Sequence, residues 1–259
     1  MTPKFHSLQI KEVKRETEDA VSISFIVPKE QQNDYAFVSG QYLTLKQIID
    51  GEDVRRSYSL CTAPSDNEWT VAVKKVESGL FSTYANEVLK AGDSLEVMTP
   101  MGSFTSEFDA QNVKNYAFYA AGSGITPILS LIKTILIEEP KSTINLFYGN
   151  KNFKSILFKE EIEALKNTYM ERMRVVHVLS WESLGNAIQK GRIDKEKCAA
   201  LSKAFLAGEE ISDVFLCGPE EMIFAVKEHY ESIGMDSKNI HFELFTTSTA
   251  KKKPVVDEN

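Results

Sequence analysis

The segment "EDVRRSYSLC" places arginine, tyrosine and serine side chains where they could hold a phosphate-bearing aromatic ligand. Because side chains alternate along a strand, Arg56 and Tyr58 share one face, whereas Arg55 lies on the other. A guanidinium binds a phosphate through two parallel hydrogen bonds, and a phenol ring offers a flat surface for stacking. Ser59 adds a small hydroxyl group at the strand end. The alternative is an amphipathic barrel strand whose arginines extend into solvent, and for Arg55 this is our prediction.

The segment "VKKVESGLFSTYANE" has the features of an anion site at the start of a helix. We predict a strand that ends at Val76, a tight turn at Gly79 and then a helix over 79–89. Ser82 and Thr83 lie in its first turn, where free N–H groups and the positive end of the helix dipole favour an anion. A plain Ser or Thr N-cap without a ligand is the alternative.

The segment "YAAGSGITPI" joins an apolar strand to a helix through Gly122 and Gly124. Pro127 falls in the first turn of the helix, a position that proline favours. Glycines let a ligand come close to the backbone, and the helix N-terminus can face a pyrophosphate. The segment does not contain the full G-x-G-x-x-G pattern, so a plain strand-to-helix turn is the alternative.

A second strand-to-helix turn, "VFLCGPEEM", ends a strand at Cys217 and opens a helix at Gly218 and Pro219. Two parallel strands that both end in such turns predict one cleft at the carboxyl edge of the sheet, and Cys217 could line it. A buried apolar cysteine is the alternative. In the last strand, "HFELF", Glu243 and Phe245 share one face.

Two patterns of secondary structure must position these segments. Over 1–110, six short strand-like segments separated by turns such as "IDGED" predict an antiparallel Greek-key β-barrel. Over 111–247, apolar strands alternate with helical segments, one of them "SILFKEEIEALKNTY", which predicts a Rossmann-like α/β domain with a parallel sheet. Residues 248–259 show no apolar period, and we predict a flexible linker or tail there.

The composition disfavours several classes of protein. The 259 residues are 42% hydrophobic, which suits roughly two domains of about 150 residues. A formal net charge of −7 argues against a nucleic-acid partner. No apolar run approaches the roughly 20 residues that span a bilayer, and the N-terminus lacks a signal core, so we expect a cytoplasmic protein without a membrane partner. Three dispersed cysteines suit neither a disulfide framework nor an iron–sulfur cluster, so we expect no metal in this chain.

The order and combination of these motifs resemble the ferredoxin–NADP reductase superfamily. The segments that carry the resemblance extend over nearly the whole chain: "FHSL", "GQYLTLK", "AAGSGITPIL", "FYGNK", "GRID", "CGPEEM" and "HFELF". Within the superfamily, they resemble the reductase subunits of phenylacetyl-CoA epoxidase (ring-oxygenase) systems. The resemblance implies an NAD(P)H-dependent flavoenzyme that passes electrons to a ferredoxin-type iron–sulfur domain or protein, and through it to an oxygenase component.

For the barrel, the resemblance implies FAD, with FMN as the less favoured flavin. Arg56 would bind a flavin phosphate, Tyr58 would pack against the isoalloxazine ring, and Ser59 would lie near flavin N5. The other FAD residues would line the ribityl chain, the pyrophosphate and the ring face, and they are Val73, Lys74, Val76, Gly79, Phe81, Ser82, Thr83 and Phe245.

For the second domain, the resemblance implies NADPH as substrate, with NADH as the alternative. The residues that would approach the nucleotide are Gly122, Gly124, Ile125, Thr126, Lys151, Ser180, Cys217, Gly218, Pro219 and Met222. Ser59, Cys217 and Glu243 would form the catalytic group. The hydride step itself would need orientation rather than a side-chain acid or base.

Two departures bear on the choice between NADPH and NADH. Lys151 and Trp181 stand where many members of the superfamily carry arginine. Arginine holds a phosphate through a planar fork, whereas lysine offers only a point charge. Arg192 in "GRID" is a candidate substitute for the missing guanidinium.

A third departure concerns the iron–sulfur cluster. Related reductase subunits usually continue into a plant-type [2Fe–2S] domain, so we expect the cluster in such a C-terminal domain or in a separate ferredoxin. Two other hypotheses stay open. One is a stand-alone reductase of flavins, quinones or ferredoxins, and the other is a non-catalytic flavin-binding electron-transfer subunit.

Overall fold

The computed structural model describes residues 4–245, and the first of its two sheets is antiparallel. Its six strands are β1 (Phe5–Thr17), β2 (Ala20–Ile26), β3 (Tyr42–Ile49), β4 (Glu52–Ser59), β5 (Trp69–Lys74) and β6 (Ser94–Met98). They lie in the order β4-β3-β6-β1-β2-β5. A bridge between Leu60 and Val71 brings the two edges together, so the sheet curls into a barrel. The predicted antiparallel barrel is confirmed.

A tight hairpin sets the register of β4, the strand that carries Tyr58. Asp50 and Gly51 form the two-residue connection from β3, and both have positive φ, 52° and 85°. Such turns favour Asp-Gly because few other residue pairs accept positive φ at both positions. The register directs Tyr58 toward the barrel core, where its ring lies beside that of Phe81.

Helix α1 (Leu80–Glu87) covers one end of the barrel and buries Phe81 in its core. The helix is slightly shorter than predicted, and β5 ends at Lys74 rather than at the predicted Val76. The Val76 carbonyl accepts a hydrogen bond from the Gly79 N–H at 3.1 Å. The backbone has therefore already turned away from the sheet at Val76, which is half exposed.

The second sheet is parallel, which confirms the predicted α/β architecture. Its strands are β7 (Asn115–Ala121), β8 (Thr143–Asn150), β9 (Met173–Leu179), β10 (Asp213–Gly218) and β11 (Ile240–Leu244), in the order β11-β10-β7-β8-β9. The helices are α2 (Ile125–Glu138), α3 (Lys159–Thr168), α4 (Lys195–Phe205) and α5 (Glu220–Ser232). Ile128 of α2 and Ile162 of α3 share one core cluster, whereas Leu201 of α4 and Ile223 of α5 belong to another. Helices therefore cover both faces of the sheet.

The direction of strand addition reverses between β7 and β10. From β7 the chain passes through α2 to β8 on one side, and it later returns through α4 to β10 on the other. Open α/β sheets bind ligands in the crevice outside the carboxyl ends of the strands at such a switch point. The turn at 122–124 follows β7, and β10 ends at Gly218 with Pro219 directly after it, so the two predicted turns lie side by side there.

Helix α3 begins later than predicted, at Lys159 rather than at Ser155. Ser155 belongs to a short 3-10 turn that is capped by Asn152, and Phe158 has a positive φ of 55°. A residue in the left-handed region cannot continue a right-handed helix, so α3 starts only after Phe158.

Two negative findings apply to residues 4–245. No helix there has the length and apolar character needed to cross a membrane. Within the same residues, no group of three or more His, Cys, Asp and Glu side chains could hold a metal ion. The domain boundary at 110/111 stays a prediction, and the predicted tail over 248–259 lies outside the described residues.

Candidate active site at the switch point

A cleft of about 720 Å³ opens at the switch point, a volume typical of small-molecule sites. Its walls come from the turns that follow β7, β8, β9 and β10, with the end of β5 on the barrel side. The predicted site residues that line it are Lys74, Gly122, Gly124, Lys151, Ser180, Gly218, Pro219, Met222 and Phe245. The structure therefore brings most of the predicted nucleotide residues together, and it adds Lys74 and Phe245, which were predicted for the flavin.

Gly124 lets the start of α2 approach the end of β10 very closely. A Cβ atom at Gly124 would lie 2.1 Å from the carbonyl oxygen of Cys217 and 2.8 Å from the backbone nitrogen of Gly218. Both atoms belong to the backbone and cannot rotate away. Only glycine is therefore compatible with this contact, which forms the floor of the cleft.

The N-terminus of α2 lies at this floor, where the Ile125 N–H already donates to the Gly122 carbonyl and Pro127 has no N–H group. No side chain among residues 4–245 caps α2 at this end. Ile125 and Thr126 are buried behind the cleft wall, and the Thr126 hydroxyl donates to the Ser123 carbonyl at 3.0 Å. These two residues hold the turn in place, and the positive end of the helix dipole makes it suitable for an anion.

The side chain of Asn150 also indicates that the cleft binds a polar ligand. Its side chain lines the cleft at the end of β8, is only 9% exposed, and its Nδ2 atom finds no hydrogen-bond partner among the described residues. A buried donor without a partner costs free energy. A hydrogen-bond acceptor on a ligand would remove that cost. Together with the Gly124 floor, this donor fits a phosphate-bearing nucleotide.

The barrel side of the site is built around Tyr58. Its ring is half-buried, and the ring centroid lies 5.7 Å from that of Phe81. Burial raises the pKa of Tyr58, although the charge of Arg56 acts in the opposite direction, so the phenol stays neutral. A neutral, partly exposed aromatic face suits a planar ring system such as a flavin.

The turn before α1 is held together by hydrogen bonds between its own residues. Ser82 Oγ accepts a hydrogen bond from the Val76 N–H at 3.2 Å and donates one to the Gly79 carbonyl at 3.1 Å. A Cβ atom at Gly79 would lie 2.4 Å from Val76 Cγ2. Ser82 is buried, whereas Thr83 is half-buried at the start of the helix. Because the Ser82 hydroxyl is used within the turn, Thr83 and the backbone are the groups here that could reach a phosphate. Val73 lies wholly in the barrel core.

The two adjacent arginines of β4 have different surroundings. Arg55 binds the Asp53 carboxylate through two hydrogen bonds of 2.9 Å and lies over the ring of Phe5. Arg56 is exposed, forms no ion pair with any residue from 4 to 245, and donates to the Arg55 carbonyl at 2.6 Å. Arg55 thus has a carboxylate partner on the outer face, whereas the charge of Arg56 is available for an anionic ligand.

Ser59 and Glu243 connect the barrel to the parallel sheet. Ser59 Oγ donates a hydrogen bond to Glu243 Oε2 at 3.3 Å, although the residues are 184 positions apart. Burial raises the pKa of Glu243 to about 7, and the hydrogen bond from Ser59 acts in the opposite direction. A carboxyl group with a pKa near neutrality can take up and release protons under physiological conditions.

Cys217 lies next to this pair but does not line the cleft. It pairs with Glu243 across β10 and β11, and its side chain is fully buried. Burial, together with the nearby charge of Glu243, raises the pKa of its thiol well above the usual value. The structure therefore places a neutral thiol behind the site, and its backbone carbonyl forms the contact with Gly124.

Positively charged residues gather at the far end of the cleft. The charged residues are Lys151 and Arg192, with the neutral Ser180 beside them, and Lys151 Nζ lies 5.0 Å from the ring centre of Trp181. Asp194 lines the same wall, but its carboxylate already caps α4 through the Lys197 N–H. Asn150 and Trp181 also line the cleft although neither was predicted as a ligand contact, and their positions after predicted strands were the available signal.

Comparisons with known proteins agree with this architecture. Residues 7–106 match the family model described as an oxidoreductase FAD-binding domain, and residues 118–228 match the oxidoreductase NAD-binding domain. One of the subunits of 1,2-phenylacetyl-CoA epoxidase from Escherichia coli K12 is 41% identical over 253 residues, which are 98% of this chain and 71% of the relative.

Two further relatives extend the comparison. The ferredoxin reductase component of 3-ketosteroid-9-alpha-monooxygenase from Rhodococcus rhodochrous is 33% identical over 93% of this chain, which spans 65% of that relative. A crystal structure of a ferredoxin NADP+ reductase from Neisseria gonorrhoeae with bound FAD and NADP superposes with a TM-score of 0.78. It is 20% identical and covers 93% of this chain and 98% of its own, so this likeness concerns the fold alone.

Proposed function

Because the chain belongs to the ferredoxin–NADP reductase family of FAD- and NAD-binding oxidoreductases, we propose that it takes a hydride from NADPH and delivers the two electrons singly to a [2Fe–2S] partner of a multicomponent oxygenase. We assign the flavin to the barrel half, 1–110, and the nucleotide to 111–247. The observation that carries the proposal is the Ser59–Glu243 contact beside the Gly124 floor. This contact supports a flavin site and a nucleotide site that meet at one junction.

The residues of this chain would act mainly by orientation. FAD, when bound, supplies a ring that accepts a hydride and releases electrons one at a time. Tyr58 would hold the ring through stacking, and Arg56 would bind a phosphate. Gly124 and the start of α2 would bind the nucleotide pyrophosphate, and Phe245, which lines the cleft, would contact a bound ligand.

Ser59 and Glu243 would move the proton that must leave when the electrons leave. Ser59 Oγ would hold the proton path between a bound flavin and Glu243, because it already donates its own proton to Glu243 Oε2. Only the ionised carboxylate can accept that proton. With a pKa of about 7, Glu243 is protonated below neutrality and ionised above it, so proton removal becomes faster as the pH rises.

Glu243→Gln is expected to slow turnover about tenfold at alkaline pH and to abolish its pH dependence. In the unsubstituted protein, turnover with ferricyanide should rise as the pH rises through about 7, because Glu243 becomes ionised there. A pH series of steady-state rates with NADPH and ferricyanide measures both effects. Glu220→Gln, on the exposed start of α5, is the matched control and should keep the profile. An unchanged profile in Glu243→Gln would remove Glu243 from the proton path.

Lys151→Ala is expected to raise the KM for NADPH about tenfold and to leave the KM for NADH nearly unchanged, since a charged hydrogen bond contributes roughly 1.5–3 kcal/mol. Lys151 and Arg192 line the same end of the cleft and would hold the 2′-phosphate that only NADPH carries. Steady-state kinetics with both nucleotides measure the difference. Lys154→Ala, on the neighbouring exposed turn, is the control. Equal increases in both KM values would reject Lys151 as the 2′-phosphate ligand.

The choice of electron acceptor can be tested with the purified, FAD-loaded protein. The names of the curated relatives, a component of an epoxidase and a ferredoxin reductase component of a monooxygenase, support an iron–sulfur acceptor. With NADPH as donor, a plant-type [2Fe–2S] ferredoxin should be reduced faster than free flavin or a quinone. Faster reduction of the quinone would favour a stand-alone reductase instead.

A further inference from the structure

Lys133, on α2, is the central residue of a cluster of three charged side chains. Its Nζ atom is 3.1 Å from Asp66 Oδ2 and 2.5 Å from Glu161 Oε1, and its side chain is only 16% exposed. Burial alone would lower the pKa of Lys133, but the charges and hydrogen bonds of the two carboxylates outweigh it, and the pKa is raised. The ammonium group therefore stays charged while it is partly buried.

This cluster joins three elements that are distant in sequence. Asp66 lies in a short 3-10 turn, Pro64–Asp66, in the barrel connection between β4 and β5. Its Oδ2 atom also accepts the Ala63 N–H at 2.9 Å, which fixes the carboxylate on that turn. Glu161 lies on α3. Lys133 thus links the barrel to two helices on one face of the parallel sheet.

A second contact joins the same loop to α2, about one helical turn earlier. Ser130 Oγ donates a hydrogen bond of 2.6 Å to the Thr62 carbonyl, and the Ser130 side chain is fully buried. Lys133 and Ser130 together hold the barrel connection at 62–66 along the side of α2. Because the barrel connection contacts α2 at two points, it can neither rotate about the helix nor move away from it without breaking a contact.

Both ends of this connection lead to the candidate active site. Upstream of Thr62 the chain leads directly back to Ser59, at the end of β4. Upstream of Ser130, α2 leads back to Gly124 and the floor of the nucleotide cleft. The contacts between 62–66 and α2 therefore form a short path that connects the proposed flavin site to the nucleotide site.

We propose that Lys133 is a positioning residue, which with Asp66 and Glu161 sets the separation between the flavin site and the nucleotide cleft. This inference rests on the proposed hydride transfer. Reacting atoms must lie about 3–3.5 Å apart, and a displacement of about 1 Å can cost 100-fold in rate. Domains joined by modest interfaces move relative to each other unless specific contacts restrain them.

A purely structural ion pair would behave differently. Partly buried ion pairs contribute little net stability, because the cost of desolvation offsets the attraction between the charges. Loss of such a pair would leave the rate of hydride transfer unchanged in the folded protein. A positioning role predicts a slower hydride step with unchanged nucleotide and flavin binding.

The test compares three variants of the FAD-loaded protein. Lys133→Met removes the charge and keeps a side chain of similar length, Lys133→Arg keeps the charge, and Lys141→Met controls for the loss of an exposed lysine. Anaerobic stopped-flow reduction by NADPH gives the limiting rate and the nucleotide Kd separately. We expect Lys133→Met to lower the limiting rate about tenfold and to change Kd and FAD content less than about twofold, with most of the rate restored in Lys133→Arg.

A second readout needs neither flavin nor nucleotide. The three native cysteines are buried, so nitroxide labels can be placed selectively at the exposed positions of Ile48→Cys in the barrel and Met170→Cys beside the parallel sheet. Pulsed electron paramagnetic resonance should show a broader or shifted distance distribution in Lys133→Met and the original one in Lys133→Arg.

An unchanged distance distribution, or an unchanged limiting rate, in Lys133→Met would overturn the positioning role. If the unsubstituted protein is not reduced by either nucleotide, the proposed function fails, and with it the role in hydride transfer. The distance measurement then still decides whether Lys133 restrains the two halves of the molecule.

Discussion

Gly124→Ala is expected to lower the rate of flavin reduction by NADPH at least 100-fold while the protein keeps its flavin. The new Cβ atom would lie 2.1 Å from the Cys217 carbonyl oxygen, so the start of α2 and the end of β10 would have to separate. That movement displaces the floor of the nucleotide cleft. The barrel is not part of this contact, so its ligand should stay bound. Single-turnover stopped-flow absorbance and the FAD content after purification measure the two effects.

Gly149→Ala is the matched control for this prediction. Gly149 lines the same cleft, but a Cβ atom there would meet its nearest neighbour, Ile193 Cδ1, at an ordinary contact distance of 3.5 Å. Its effect on the rate should be no more than a few-fold. If Gly124→Ala were reduced as fast as Gly149→Ala, the close approach of α2 to β10 would have no role in nucleotide binding.

Tyr58→Ala is expected to weaken FAD binding about 10- to 100-fold, because a stacked aromatic contact and its buried area contribute roughly 1.5–3 kcal/mol. The ring of Tyr58 is the partly exposed aromatic surface of β4, and the barrel beside it offers Arg56 for a phosphate. Dialysis of the purified protein followed by fluorescence titration with FAD gives the affinity.

Two comparisons separate ligand binding from damage to the barrel. Tyr58→Phe keeps the ring and should bind FAD within a few-fold of the unsubstituted protein. Thermal unfolding without flavin reports the stability that Tyr58 contributes by packing beside Phe81. If Tyr58→Ala kept its FAD affinity but lowered the stability of the flavin-free protein, Tyr58 would pack in the barrel core and have no role in FAD binding.

The sequence predicted those parts of the fold that depend on local chemistry. Asp50 and Gly51 accept positive φ, and they form the hairpin that the "IDGED" segment indicates. The two glycine turns after β7 and β10 follow from the alternation of strands and helices, and their side-by-side position follows from the rules of parallel sheets. The start of α3 was placed wrongly because the periodic apolar residues continue through Phe158, whose left-handed backbone the pattern does not reveal.

The features that could not be read from the sequence depend on contacts between distant residues. The hydrogen bond from Ser59 to Glu243 joins two sheets, and the raised pKa of Glu243 results from burial that only the folded chain produces. Lys133 reads as an ordinary lysine on an apolar helix until Asp66 and Glu161 are placed beside it. Likewise, only the folded chain shows that the Cys217 side chain is fully buried, where the strand-end motif alone left both interpretations open.

We propose that one junction between the barrel and the parallel sheet joins a flavin to a nicotinamide nucleotide. Anaerobic addition of NADPH to the purified, FAD-reconstituted protein tests it most directly. We expect a yellow protein with one FAD per chain, whose flavin absorbance bleaches on addition of a single equivalent of NADPH. A protein that takes up no FAD, or a yellow protein that neither NADPH nor NADH can bleach, would contradict it.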